Sequence, residues 1–120
     1  MKYLWTTMHV KDLEKSIAFY EQVLGLQPEG RFAAGPGSEI GFLTSQNTET
    51  KIELIQQQDF ERSAAPSGIS LGFAAGNLDE KREQLKAAGY APGAILSPNP
   101  ATRFFFLEDP DGVQIQFVEG

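Results

Sequence analysis

The chain holds one histidine, His9, in the opening stretch MKYLWTTMHV, and no cysteine. Without cysteine there is no disulfide, no thiolate metal site and no thiol nucleophile. An imidazole can still ligate a divalent metal or move a proton near neutral pH. His9 therefore poses a choice between a metal ligand on the inner face of a sheet and a polar residue at a cleft edge or surface. GRFAAGPGS, residues 30–38, could cradle a phosphate, but no strand–loop–helix context follows it. It reads as a loop, or as a strand end followed by one. Glu108, Asp109 and Asp111 could suggest calcium, yet the remaining ligands of a calcium loop are missing. Asp-Pro-Asp-Gly between two apolar runs is a hairpin signal instead, because Pro fixes φ and Gly supplies a positive one.

These residues need elements to position them. Residues 2–10 alternate as a strand, with Leu4, Thr6, Met8 and Val10 on one face and Tyr3, Trp5, Thr7 and His9 on the other. A helix follows at once. Asp12 is placed as its N-cap, Glu14 suits its first turn, and Gly25 is placed to stop it. Leu13, Ile17, Tyr20 and Leu24 recur at helical spacing, widened by Phe19 and Val23. Two strands come next, EIGFLT and KIELIQ, joined by SQNTET. The stretch QQQDFERSAAPSG, residues 56–68, is polar and loses periodicity, as a linker does. Then the pattern restarts with the strand GISLGFA. A helix over NLDEKREQLKAAG has Asn77 and Glu80 as a capping box, Gly89 as its stop, and a thin apolar stripe of Leu78, Leu85 and Ala88. The loop SPNP precedes the strands RFFFLE and VQIQFVE. In RFFFLE both alternations are largely apolar, so the sequence does not say which of Phe104, Phe105 and Phe106 faces the cleft.

The two halves carry the same order of strand, capped helix and further strands. HVKDLEKSIAFYEQVLG maps on AAGNLDEKREQLKAAG, and GFL…KIELI maps on FFFL…VQIQFV. Neither half can bury its own sheet face alone. The expected architecture is a single α+β domain of two βαβββ modules, residues 1–57 and 68–120, with a linker at 58–67. Their strands should form a curved mixed sheet around a cleft, with the helices outside.

At 120 residues the chain suffices for one domain with a real core. No apolar run approaches the ~20 residues of a membrane span, and the start lacks a signal-peptide pattern, so the expected address is the cytoplasm. A net charge of −6 disfavours nucleic acid and favours cationic or neutral ligands.

VKDLEKSIAFYEQVLGL, KIELI, SLGFAAGNLDE and FFFLEDPDGVQIQFVE together resemble the vicinal oxygen chelate superfamily, which holds glyoxalase I, extradiol dioxygenases and bleomycin-resistance proteins. With the repeat, the resemblance covers nearly the whole chain. In the metal-dependent glyoxalases of that superfamily, the first and last strand of each module supply the metal ligands, usually two His or Gln and two Glu. Carried over one by one, those positions are Trp5, Glu53, Ser70 and Gln116. Glu53 is the usual ligand type, and Gln116 could coordinate weakly through its amide oxygen. The Trp5 indole cannot coordinate, and Ser70 is a poor ligand at neutral pH. His9 shares the parity of Trp5 but lies four residues along the strand, about 13 Å at ~3.3 Å per residue. A ligand must lie within ~2 Å of its ion, so His9 does not replace Trp5 there.

The resemblance thus implies two activities. One is a metal-free module, similar in design to bleomycin-resistance proteins, that binds a small aromatic or cationic molecule. Its site would comprise Tyr3, Trp5, Thr7, Glu53, Ser70, Gln114 and Gln116, with Ser70 and Gly72 leaving room and the glutamines orienting the ligand. The other is a lyase or isomerase of glyoxalase I (lactoylglutathione lyase) type using nickel, zinc or manganese, with Glu53 as ligand and catalytic base and Gln116 as second ligand. Members with two modules per chain commonly pair, so a homodimer with clefts shared between chains is also implied. Glu53 could instead be tied up by Lys51 or an arginine, and Arg31 and Arg103 could bind a carboxylate or point into solvent.

Overall fold

Asp12 begins the first helix because its backbone is extended and its carboxylate accepts a hydrogen bond from the Lys15 amide at 3.1 Å. Gly25, with φ of 69°, ends that helix in the left-handed region, where its amide and that of Leu26 return to carbonyls of the last turn. The computed structural model describes residues 1–45, 48–59 and 68–120. In chain order the first elements are β1 (Trp5–His9), α1 (Leu13–Leu24), β2 (Gln27–Ala33), β3 (Ser38–Thr44) and β4 (Lys51–Gln57). There follow β5 (Ser70–Gly76), α2 (Leu78–Ala87), β6 (Leu96–Asn99), β7 (Thr102–Glu108) and β8 (Gln114–Glu119). This is an α+β fold of two βαβββ modules, falling into two compact units, Met1–Ala64 and Ala65–Gly120. Of the expected linker, residues 60–67 lie outside the described residues.

Hydrogen bonding builds one four-stranded mixed sheet per module. The first has the order β1-β4-β3-β2 and the second β5-β8-β7-β6. In each, the first strand pairs parallel with the last, and the other pairings are antiparallel. The internal repeat of the sequence is thus a repeat of topology.

In the first unit, Leu54 and Leu43 point toward α1 and are buried with Leu13, Tyr20 and Val23. Gly41 sits on that same face, where a Cβ would meet Ile17 Cδ1 at 3.2 Å and Leu13 Cδ1 at 3.7 Å. A side chain there would push the helix off the sheet. Gln56 completes the face by accepting from the Leu13 amide at 2.7 Å.

In the second unit, Asn77 caps α2 by accepting from the Glu80 amide at 3.0 Å. Only Leu78 and Leu85 of α2 are buried, as the thin apolar stripe implies. Phe105 and Phe117 stack beneath it with ring centroids 4.7 Å apart. The turn between β7 and β8 is held by the buried Asp109, whose Oδ1 accepts from the Asp111 and Val113 amides, both at 2.8 Å. That carboxylate is therefore engaged by the turn. Residues 97–100, read from sequence as a loop, belong largely to β6, an edge strand in which Pro98 has no ladder bond to donate. Among the described residues no helix is long and apolar enough to cross a membrane.

Candidate functional site

With α1 covering one face of the first sheet, the residues of opposite parity form its open face. Register places Thr7 beside Glu53 and Phe42 opposite Glu53, so β1, β4 and β3 converge on this one carboxylate. Thr7 donates its hydroxyl to Glu53 Oε1 at 2.5 Å. Trp5 meets the Phe42 ring edge to face with centroids 5.5 Å apart, and Phe32 from β2 stacks on Phe42 at 6.3 Å. Trp5 remains 43% exposed and Phe32 50%, which is high for rings that normally drive burial. A half-buried carboxylate, oriented by a hydroxyl and flanked by open aromatic rings, can accept hydrogen bonds and attract a cation.

Beyond Trp5, at the starts of β1 and β4, lies a hollow of about 560 Å³ bordered by Lys2, Leu4, Trp5, Glu29 and Lys51. Glu53 stands two residues further along β4, outside that lining. Tyr3 precedes β1, and its hydroxyl is hydrogen-bonded to that of Thr6, a residue of the helix-facing parity. Tyr3 is thus not brought against Glu53. His9 stands beside Ile55 in the β1–β4 register, one open-face position past Thr7 and Glu53.

The expected residues of the second module gather on the open face of the second sheet. Ser70 is in register with Gln114, and Gly72 with Gln116. A Cβ on Gly72 would meet Gln116 Oε1 at 3.7 Å, an ordinary van der Waals distance, so the two positions adjoin on this face. Ser70, Gln114 and Phe106 border a smaller hollow of about 350 Å³. Phe104 and Phe106 share this face and meet edge to face at 5.6 Å, whereas Phe105 points to the core.

Each arginine that could have bound an external carboxylate is held by carboxylates of its own module. Arg31 forms a fork with Glu39, at 3.0 and 3.1 Å, and reaches Glu14 in the first turn of α1 at 2.5 Å. Arg103 joins Asp79 in the first turn of α2, at 3.2 Å, to Glu119 of β8, at 2.5 Å. Lys51 pairs with Glu29 at 2.6 Å. Hydrogen bonds from Arg31 hold the Glu39 carboxyl below its usual range, and those from Arg103 do the same to Asp79. The guanidinium groups are raised in turn, Arg31 chiefly by Glu39 and then Glu14, Arg103 chiefly by Asp79.

Both carboxyls have folded pKa values below their unfolded ones, so the clamps act fully above about pH 5 and fade as pH falls through the lowered values. The urea midpoint should therefore drop on acidification from about pH 5 to 3. In the double variant Arg31→Met/Arg103→Met the drop should be shallower, with no change in slope between about pH 6 and 8. An unchanged acid slope would show that the clamps do not couple helix to sheet.

Phe42, Phe32, Lys51 and Glu29 were not legible as site residues. Gly41 was the available signal: a glycine inside EIGFLT marks the helix-packed parity and leaves Phe42 for the open one.

The sequence matches the family profile of the Glyoxalase/Bleomycin resistance protein/Dioxygenase superfamily over residues 2–117. The chain belongs to this superfamily. A lactoylglutathione lyase of Neisseria meningitidis is 30% identical over 131 aligned positions, covering 99% of this chain and 91% of the lyase. Among solved structures, the trypanothione-dependent glyoxalase I of Leishmania major superposes with a TM-score of 0.79 at 20% identity, covering 99% of this chain and 86% of that one. TnmS3, an antibiotic binding protein from Streptomyces sp. CB03234, superposes with a TM-score of 0.77 at 20% identity, covering 99% and 95%. At such identities the superpositions establish the shared fold.

Against the metal that this superfamily implies, the donors of this member fit poorly. The position carried over to Trp5 offers an indole with no lone pair to give, and Thr7 already engages one oxygen of Glu53. Among the described residues, no three of His, Asp and Glu converge as a metal-holding group.

Proposed function

We propose that this superfamily member is a binding module for a small aromatic or cationic molecule and that it works without a metal. The observation that carries this reading is the Glu53 carboxylate, oriented by Thr7 and set among the open rings of Trp5, Phe42 and Phe32. The rings supply planar apolar area and a cation-attracting face, and the carboxylate supplies charge and a hydrogen-bond acceptor. Ser70, Gln114 and Gln116 supply the neutral polar groups that orient a ligand. The existence of an antibiotic binding protein with this fold supports the reading. Homodimers in the cytoplasm, with clefts shared between chains and neither nucleic acid nor membrane as partner, complete it.

The lactoylglutathione lyase relatives favour a second reading, a glyoxalase-type lyase using a divalent metal. In that case Glu53 and Gln116 would hold the metal, and Glu53 would also serve as the base that moves a proton next to a carbonyl. Native mass spectrometry after incubation with nickel or zinc, and removal of unbound ion, separates the two. The binding-module reading expects a metal-free dimer. Stoichiometric retained metal would overturn it in favour of the lyase, and a monomeric mass would sink the shared clefts.

A further inference from the structure

We propose that Lys51 is a built-in competitor for the cation position on the open face of the first sheet, so that a cationic ligand must displace it. The inference rests on the binding reading above and deepens it. Lys51 opens β4 beside Trp5 and shares the open face with Glu53, two residues on. Its ammonium lies 6.0 Å from the centroid of the Phe42 ring, within cation–π range, and Glu29 tethers it there at 2.6 Å. The same ring that an incoming cation would use thus already carries a cation of the chain. Lys51 and its partner Glu29 both border the hollow next to Trp5. Its side chain is 35% exposed, against 66% for Lys2, which borders the same hollow but pairs with Glu49.

Displacement has two consequences for specificity. A neutral ligand gains nothing by evicting Lys51, because it cannot replace the ammonium at Phe42. A cation recovers that contact and also meets Glu29, which the departing lysine leaves without its partner. The competitor therefore lowers the apparent affinity for cations by the worth of its own contact, about two- to fivefold for a partly exposed pair.

The test is titration of choline, and of its neutral isostere 3,3-dimethylbutan-1-ol, into wild type, Lys51→Met, Lys51→Arg and Lys2→Met. Amide chemical shifts report binding at constant ionic strength, and the dispersion of the same spectra reports folding. Lys51→Met should bind choline about two- to fivefold tighter than wild type, with Lys51→Arg and Lys2→Met close to wild type and the alcohol unaffected throughout. Equal tightening in Lys2→Met would mean that net charge alone matters and would overturn the proposal. Wild type and Lys51→Met binding choline equally would overturn it too, while leaving the binding reading intact. Failure of every protein to bind choline would overturn both.

Discussion

Replacing Phe105 with alanine is expected to cost about 3–5 kcal/mol, the range for truncating a fully buried aromatic side chain. Phe105 has no exposed surface, stands opposite Phe117 in the β7–β8 register and stacks on it with an interplanar angle of 10°. The second module has a thin core, since α2 buries only Leu78 and Leu85, so few neighbours can collapse into the space left behind. Such a loss is a large part of the roughly 5–15 kcal/mol that holds an ordinary domain together. Phe104→Ala and Phe106→Ala are the controls. Both rings lie on the open face, half-buried, and their loss removes an edge contact and some area but opens no cavity in the core, about 1–2 kcal/mol each. Urea denaturation of the three variants checks the ordering. Equal costs at 104 and 105 would mean that the parity of β7 is not the one described.

That experiment bears on a boundary of what sequence can say. RFFFLE gives no parity by itself, because Phe104 and Phe106 are as apolar as Phe105 and Leu107. The parity is set by β8, where Ile115 and Phe117 alternate cleanly with Gln114 and Gln116 and impose their faces through register. β1 and α1 were legible because their signals are local: alternation from Leu4 to Val10, a capping Asp12, a stop at Gly25. β2 was only half legible. All seven of its residues are exposed, so burial leaves no alternation to read, and Gly30 and the following AAGPG argue for a loop. At β6, Pro98 spoke against a strand, and only the edge position makes it tolerable.

The candidate site divides along the same line. Glu53 was reachable from the family resemblance, and Thr7 from parity. Their hydrogen bond depends on a parallel pairing between segments 46 residues apart in sequence, which no local pattern encodes. The same is true of the arginines. From sequence Arg31 and Arg103 could bind a carboxylate or point into solvent, and each is matched by carboxylates brought from a helix and from another strand. An ion pair across such distances becomes visible only once topology has placed both ends.

Glu53→Gln is expected to weaken binding of choline about tenfold or more while leaving 3,3-dimethylbutan-1-ol within about twofold of wild type. The substitution keeps the shape of the side chain and an oxygen that can accept from Thr7, so the change isolates charge. A hydrogen bond or close contact to a carboxylate is worth about 1.5–3 kcal/mol, roughly 10- to 150-fold in dissociation constant. The neutral isostere makes only apolar contacts, with the open rings of Trp5 and Phe32, which the glutamine does not disturb. Stability should change by no more than about 0.5 kcal/mol, since Glu53 lies on the open face away from α1, so lost binding would not be lost folding. Thr7→Val removes the hydroxyl that orients the carboxylate but keeps its charge, and should cost choline only a few-fold, about 0.5–1.5 kcal/mol for one neutral donor. The order Glu53→Gln worse than Thr7→Val, with the alcohol indifferent to both, is the signature of a carboxylate that recognises a cation directly. If Glu53→Gln instead leaves choline binding untouched but abolishes retention of nickel or zinc, the carboxylate is a metal ligand, and the lyase reading takes the place of the binding module.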